Sequence, residues 1–219
     1  MSRTESDLGV RARTGVGIVL VLVGAMFLGP WTYGALLLLV WVLGAQEAAA
    51  LVAPPASTAG PRWVGKALAI LLWAVSVAGL AGIGWGNETY APELPLGWFV
   101  LIWLNDTGAY FAGRAFGRHK LAPSISPGKT WEGWFGGMVA SLLAGWVLSN
   151  VLSLDVPWWA LALVVSVLGP AGDLTQSALK RRAGVKDSGQ LLPGHGGILD
   201  RFDSHIFAAP LAAILLRFF

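Results

Sequence analysis

Asp173, Gln176, Ser177 and Lys180 stand at i, i+3, i+4 and i+7, so a helix through LGPAGDLTQSALKR (168–181) carries them on one face. Downstream, DRFD places Asp200 and Asp203 at i and i+3, also on one face. Two carboxylates on one stripe and a third from a neighbouring helix suit a hard divalent cation. Mg²⁺ takes one or two carboxylates and fills its remaining positions with water and substrate phosphate. The competing reading is that these acids form structural ion pairs with Arg181, Arg182 and Arg201, a common fate of charges in apolar surroundings. Between the stripes, KRRAGVKDSGQLLPGHGG (180–197) offers basic side chains, then Gly194, Gly196 and Gly197 around His195 at a helix start. Free N–H groups and the helix dipole favour anions there. Basic groups, turn amides and metal-competent acids together describe a polyphosphate site. His195 alone is weak evidence, because a lone histidine is more often a structural hydrogen-bond partner than a ligand or base.

A second polar block lies upstream, in FAGRAFGRHKLAPSISPGKTWEG (111–133). SPGKT invites comparison with a phosphate-binding P-loop, but that motif needs a glycine five positions before Gly128, where Pro123 stands, and no strand is expected ahead of it. What remains is a defined turn presenting Lys129 and Thr130 at a helix N-terminus, with Ser126 as a candidate cap. Asp106, Tyr110 and Gly113 recur at i, i+4 and i+7, which makes a second stripe directed into a helical bundle.

The elements that must position these residues are membrane helices. The 219-residue chain is 55% hydrophobic and 12% charged, with 12 tryptophans and a mean hydropathy of +0.64, far from ordinary soluble composition. About 20 mostly apolar residues cross a bilayer. Seven segments qualify: 15–30, 32–52, 63–84, 95–112, 132–152, 157–176 and 198–218. The expectation is an all-α polytopic bundle of about seven spans, in which 1–94 supplies N-terminal helices and 95–219 a catalytic bundle, forming one integral membrane unit. The first segment follows a basic stretch but lacks a convincing small-residue cleavage site, and is read as an anchor that stays. Gly169, Pro170 and Gly172 predict a kink where Asp173 sits.

Charge placement sets the expected orientation, since short cytoplasmic loops carry the excess of Lys and Arg. Arg3, Arg11 and Arg13 precede the first span, and Arg62 and Lys66 follow the second. Arg114, Arg118, Lys120 and Lys129 follow the fourth, and Lys180, Arg181, Arg182 and Lys186 the sixth. The intervening segments 85–94 and 153–156 contain neither residue type. This alternation requires a cytoplasmic N-terminus. It also makes the formal net charge of +3 a topological signal and argues against nucleic-acid binding. With no cysteine, disulfides and thiolate metal sites are excluded. An acid inside an apolar helix is a functional candidate by default, which singles out Asp106, Asp173, Asp200 and Asp203, with Glu47 as a fifth.

SALKRRAGVKDSGQLLPGHGGILDRFD (177–203) resembles the signature of the phosphatidate cytidylyltransferase (CDP-diacylglycerol synthase) family, with Ser, Lys-Arg, Lys-Asp, Pro-Gly-His-Gly-Gly, Asp-Arg and Asp at the family's spacings. NDTGAYFAGRAFGRHKLAPSISPGKTWEG (105–133) and GDLTQS (172–177) resemble its other two blocks, although Gln176 stands where the family usually has Glu. The resemblance implies the reaction of CTP with phosphatidate to give CDP-diacylglycerol and pyrophosphate, in a bacterial cytoplasmic (inner) membrane with the active site facing the cytoplasm.

The resemblance further implies Mg²⁺ or Mn²⁺, an additional monovalent cation and a homodimer. Asp173, Asp200 and Asp203 are then the metal ligands and, with Lys180 and Arg181, the catalytic set. Lys129, Lys180, Arg181 and Lys186 would hold triphosphate or lipid phosphate, Ser126, Thr130 and Ser177 would donate to phosphate oxygens, and Gly196 and Gly197 would allow close backbone approach. His195, Arg201, Asp106 and Tyr110 complete the substrate-binding set. A phosphate monoester with a second pKa near 6 is already largely ionised at neutral pH and needs no general base, in keeping with the lack of a Ser-His-Asp arrangement. Two rivals are a CTP-dependent polyprenol kinase, whose alcohol nucleophile would need Asp106 or His195 as base, and a transporter with an intramembrane acid relay. The transporter leaves PGHGG without a purpose and would usually show inverted repeats.

Overall fold

The computed structural model describes residues 3–52, 62–86, 89–152 and 154–218. They form α1 (Arg3–Phe27), α2 (Pro30–Leu51), α3 (Arg62–Gly84), α4 (Glu93–Phe116), β1 (Lys120–Ala122), β2 (Ser126–Thr130), α5 (Trp131–Val151), α6 (Trp158–Arg182), α7 (Leu199–Phe202) and α8 (His205–Leu215). Five helices among the described residues are long and apolar enough to cross a membrane: α1, α2, α3, α5 and α6. The molecule is an integral membrane helical bundle. α4 is equally long, but its second half carries Asn105, Asp106, Thr107 and Arg114.

Several local expectations are revised. SPGKT is β2, paired antiparallel with β1, with Lys120 opposite Thr130 and Ala122 opposite Ser126. A strand pair therefore stands where only a turn was expected. The cap of α5 is Thr130, whose Oγ1 accepts from the Gly133 N–H at 3.1 Å; Ser126 opens β2 and caps nothing. α6 runs as one helix through Pro170. The segment 198–218 is two helices, α7 of one turn and α8, separated at Asp203 and Ser204.

Lipid gives apolar helices no hydrophobic reason to associate, so close backbone approach and interhelical hydrogen bonds hold such bundles. α4 and α5 meet along a glycine–alanine seam. A Cβ on Gly136 would lie 2.1 Å from Ala112 Cβ, and one on Gly108 would lie 2.5 Å from Ala140 Cβ. Gly97 leaves room for the Trp158 ring, which ties α4 to α6, and Gly79 lets α3 meet the backbone of α8 at Pro210. Buried polar tips cross between helices: Tyr33 Oη donates to Leu80 O, Trp73 Nε1 to Trp41 O and Trp134 Nε1 to Ser166 O. Trp98 Nε1 donates to Nδ1 of the fully buried His205.

The bundle has two different ends. At one, the hairpin, the C-terminus of α6 and the 183–198 segment gather the basic residues, and Arg11 of α1 packs on Gly194. At the other, Thr89 and Ala91 lie beside Leu154, Asp155 and Leu216, and Lys and Arg are absent from 85–94 and 153–156.

Candidate active site

A cavity of about 500 Å³ opens at the basic end, between α4, the hairpin, α5 and α6. From α4 come Asn105, Asp106, Tyr110 and Arg114, one helical turn apart in pairs; Tyr110 Oη accepts from Arg114 Nη1 at 3.0 Å. The hairpin brings Ser126, Lys129 and Thr130 over the same space, because Trp131 N–H donates to His119 O and the Glu132 carboxylate accepts from the His119 N–H and sits 2.6 Å from its Nδ1. α6 supplies Asp173 to the opposite wall.

Lys129 Nζ lies 2.5 Å from Asp173 Oδ2, an ion pair with both side chains more than a quarter exposed. Ser177 Oγ donates to the other Asp173 oxygen at 3.1 Å. The stripe read from 173, 177 and 180 is therefore present, and it is bridged to the second block by Lys129. Asp106 and Asp203 sit near enough for their charges to act on Asp173 and on each other. Asp203 Oδ1 accepts from Ser204 N–H, and Ser204 lines the cavity.

Asp200 lies elsewhere and is held differently. Its Oδ1 accepts from Lys180 Nζ at 2.6 Å, with the two side chains only 4% and 10% exposed. Its Oδ2 accepts from Ser188 N–H at 2.8 Å and Gly197 N–H at 2.9 Å. Asp200 precedes the apolar helix α8.

The glycine turn is packed around carboxylates. Glu47, one turn from the end of α2, accepts from Ser188 Oγ at 2.8 Å and from the N–H groups of Ile198 and Leu199 at 3.0 Å each. A Cβ on Gly197 would lie 2.3 Å from Glu47 Oε2, and one on Gly196, whose φ is +82°, would lie 2.7 Å from Asp200 Oδ2. Of the glycines expected to offer amides to an anion, Gly197 thus donates to Asp200, and the next two amides, of Ile198 and Leu199, donate to Glu47. His195 faces Gly15 of α1, and its Nδ1 is buried without a partner among the described residues. Arg181 is exposed and donates from Nη1 to Val185 O, closing the end of α6, while Lys186 and Arg201 are exposed.

The expected metal trio is therefore divided. Asp106 and Asp173 line the cavity, Asp203 lies beside them next to the cavity-lining Ser204, all three offer oxygen donors, and the Ser126 and Thr130 hydroxyls are nearby. Among the described residues no three His, Cys, Asp or Glu side chains form a closed metal cage. This set fits a hard cation that takes one or two carboxylates and completes its shell with water and phosphate. Asp200 stands apart from this set, with its carboxylate accepting from Lys180, Ser188 and Gly197.

Residues 87–219, from the loop before α4 to the end of the chain, match the model of the Cytidylyltransferase family. The chain belongs to this family. The matched region contains the whole cavity and the 186–203 turn, and leaves α1 to α3 outside. The chain is 55% identical over 121 residues to a phosphatidate cytidylyltransferase of Staphylococcus epidermidis, 53% to one of Staphylococcus haemolyticus and 50% to one of Staphylococcus aureus. Each match covers 54% of this chain and 46% of the relative. The chain spans about half the length of the curated relatives it matches.

Within this member of the Cytidylyltransferase family, five residues at or around the site were given no specific role by the sequence reading. Arg114 and Trp134 line the cavity; Arg114 is four residues after Tyr110 on the polar stripe and could have been found from it. Asn105 is 4% exposed and its Oδ1 has no partner among the described residues. Glu47 was visible as an acid in an apolar helix, but nothing in its spacing pointed to a turn 140 residues away. Gln176 is 2% exposed, with both amide atoms unpartnered among the described residues.

Proposed function

We propose that this chain is an integral membrane phosphatidate cytidylyltransferase, a nucleotidyltransferase that joins CTP and phosphatidate to give CDP-diacylglycerol and pyrophosphate. The observation that carries the proposal is the single cavity in which Lys129, Asp173, Thr130 and Arg114 meet, drawn from two sequence blocks that the family model also joins. The names of the staphylococcal relatives support the substrates.

The chemistry follows from the charges. A phosphatidate phosphate is largely dianionic at neutral pH, so its attack on the α-phosphorus of CTP needs no protein base. The obstacle is repulsion between two polyanions, and catalysis of such transfers rests on positioning and electrostatic stabilisation. Lys129 and Arg114 supply positive charge over the cavity, and Thr130 and Ser126 donate to phosphate oxygens. Asp173 and Asp203 would hold Mg²⁺, which, when bound, neutralises charge on the transferring and leaving oxygens. Asp106 and Tyr110 form the far wall. As the new P–O bond forms at the α-phosphorus, the bond to the β-phosphate oxygen breaks and pyrophosphate leaves.

The site faces the cytoplasm in this reading, from a bacterial inner membrane, with α4 and the α7–α8 pair completing about seven passes. An odd number of passes is supported by α1 packing on the 194–195 turn at one end while Leu216 lies beside Thr89 at the other. Purified protein in mixed micelles with cytidine-labelled CTP, phosphatidate and Mg²⁺ should yield a labelled liponucleotide and pyrophosphate. Label remaining in CDP, with phosphate moved to a lipid alcohol, would overturn the proposal.

A further inference from the structure

We propose that Glu47 is a positioning residue for the site, through which α2 fixes the 188–199 turn and, by way of that turn, the start of α7, the one-turn helix that leads to Asp203. The inference deepens the cytidylyltransferase reading and rests on it for its catalytic part. Glu47 lies outside the region matched to the family, yet it reaches across 141 residues to Ser188 and across 151 and 152 to Ile198 and Leu199.

The geometry interlocks two carboxylates through one turn. Ser188 gives its hydroxyl to Glu47 and its backbone N–H to Asp200. The next amides divide likewise: Gly197 N–H goes to Asp200, and those of Ile198 and Leu199 go to Glu47. The glycines fit this purpose, since a side chain at Gly189 or Gly197 would run into the Glu47 carboxylate. A carboxylate that accepts from one hydroxyl and two backbone amides is a fixed acceptor, and hydrogen bonds from the backbone to an ionised group are the strong kind. Residues that orient others in this way are commonly worth 10–100-fold in activity or metal affinity. Glu47 is not among the residues lining the substrate cavity, so its loss should alter turnover more than substrate affinity.

The test uses the full chain in detergent and reads two quantities. In Glu47→Gln, amide hydrogen exchange across 188–199 should quicken about tenfold, as expected for losing an acceptor, while exchange in α4 and α5 stays unchanged. In the same preparation kcat should fall about 10–100-fold, with KM for CTP within about twofold. Ser188→Ala should move both readouts the same way by less, and the double variant should be no slower than Glu47→Gln, because the two side chains share one interaction. Unchanged exchange at 188–199, or quickened exchange with normal kcat, overturns the proposal. If Glu47→Gln does not accumulate as folded protein, Ser188→Ala decides by the same criteria. If the wild-type chain makes no liponucleotide, the assigned reaction fails, and exchange at 188–199 still decides whether Glu47 holds the turn.

Discussion

Two lysine–aspartate pairs sit at the basic end of the bundle, and they differ in every respect except chemistry. Lys129–Asp173 joins the hairpin to α6 at the wall of an open cavity, with 27% and 30% of the side chains exposed. Lys180–Asp200 is nearly sealed, and the Asp200 lone pairs are further engaged by Ser188 and Gly197. A half-exposed pair is worth little in itself, so its members can exchange partners for phosphate and metal at small cost. A buried pair with complete hydrogen bonding is expensive to disturb, since either partner left alone is an uncompensated buried charge. In the proposed reaction the first pair would belong to the chemistry and the second to the frame around it.

Breaking the frame should have the largest effect on stability. Lys180→Met leaves Asp200 buried against two amides only, and should cost about 3–5 kcal/mol, read as a sharp fall in melting temperature of the detergent-purified protein. Next comes Gly136→Ala on the α4–α5 seam behind the cavity. Its Cβ would meet Ala112 at 2.1 Å, and overpacking of this kind costs about 1–3 kcal/mol. Lys129→Met should change stability by less than about 1 kcal/mol, yet lower kcat/KM by about 10²-fold or more, the scale for losing one preorganised charge-stabilising group. A Lys129→Met protein that is strongly destabilised, or fully active, would erase the distinction between the pairs. The gentlest probe sharpens which end faces which compartment. Cysteines placed at exposed Ser124 on the hairpin and at Thr89 at the far end should label from opposite sides of intact cells with an impermeant reagent, and labelling from one side would refute the orientation.

Much of this was legible in the sequence because it rests on short-range periodicity. The 173–177–180 stripe survives as a real face of α6, since i, i+4 and i+7 spacing is a property of the helix alone. The helices themselves follow from apolar length. The hairpin at 120–130 was missed because its register depends on Glu132 and Trp131 reaching back to His119, a pairing that no local pattern announces. DRFD was read as one face of a continuous helix, but the chain turns after Phe202 so that the Asp203 carbonyl can meet Gly172 of α6. Asp203 itself keeps a helical backbone conformation, and the two acids nevertheless take different partners, Lys180, Ser188 and Gly197 for Asp200 and Ser204 for Asp203. PGHGG was read as an anion cradle, and one of its amides, that of Gly197, does meet an anion, the Asp200 carboxylate, while the next two amides, of Ile198 and Leu199, meet Glu47. Both anions belong to the same chain, and only the packing of α2 against the turn reveals Glu47.

The most direct test of the division between a chemical pair and a structural pair compares Asp173→Asn with Asp200→Asn on parallel detergent preparations, measuring melting temperature and activity per folded molecule. Asp173→Asn should keep the wild-type melting temperature within about 2 °C, consistent with a surface-like pair, and lose about 10²–10³-fold in kcat. Asp200→Asn should melt well below wild type and retain a larger share of activity per folded molecule than Asp173→Asn. The opposite pattern, an unchanged melting temperature with abolished turnover for Asp200→Asn and a destabilised but active Asp173→Asn, would contradict the account.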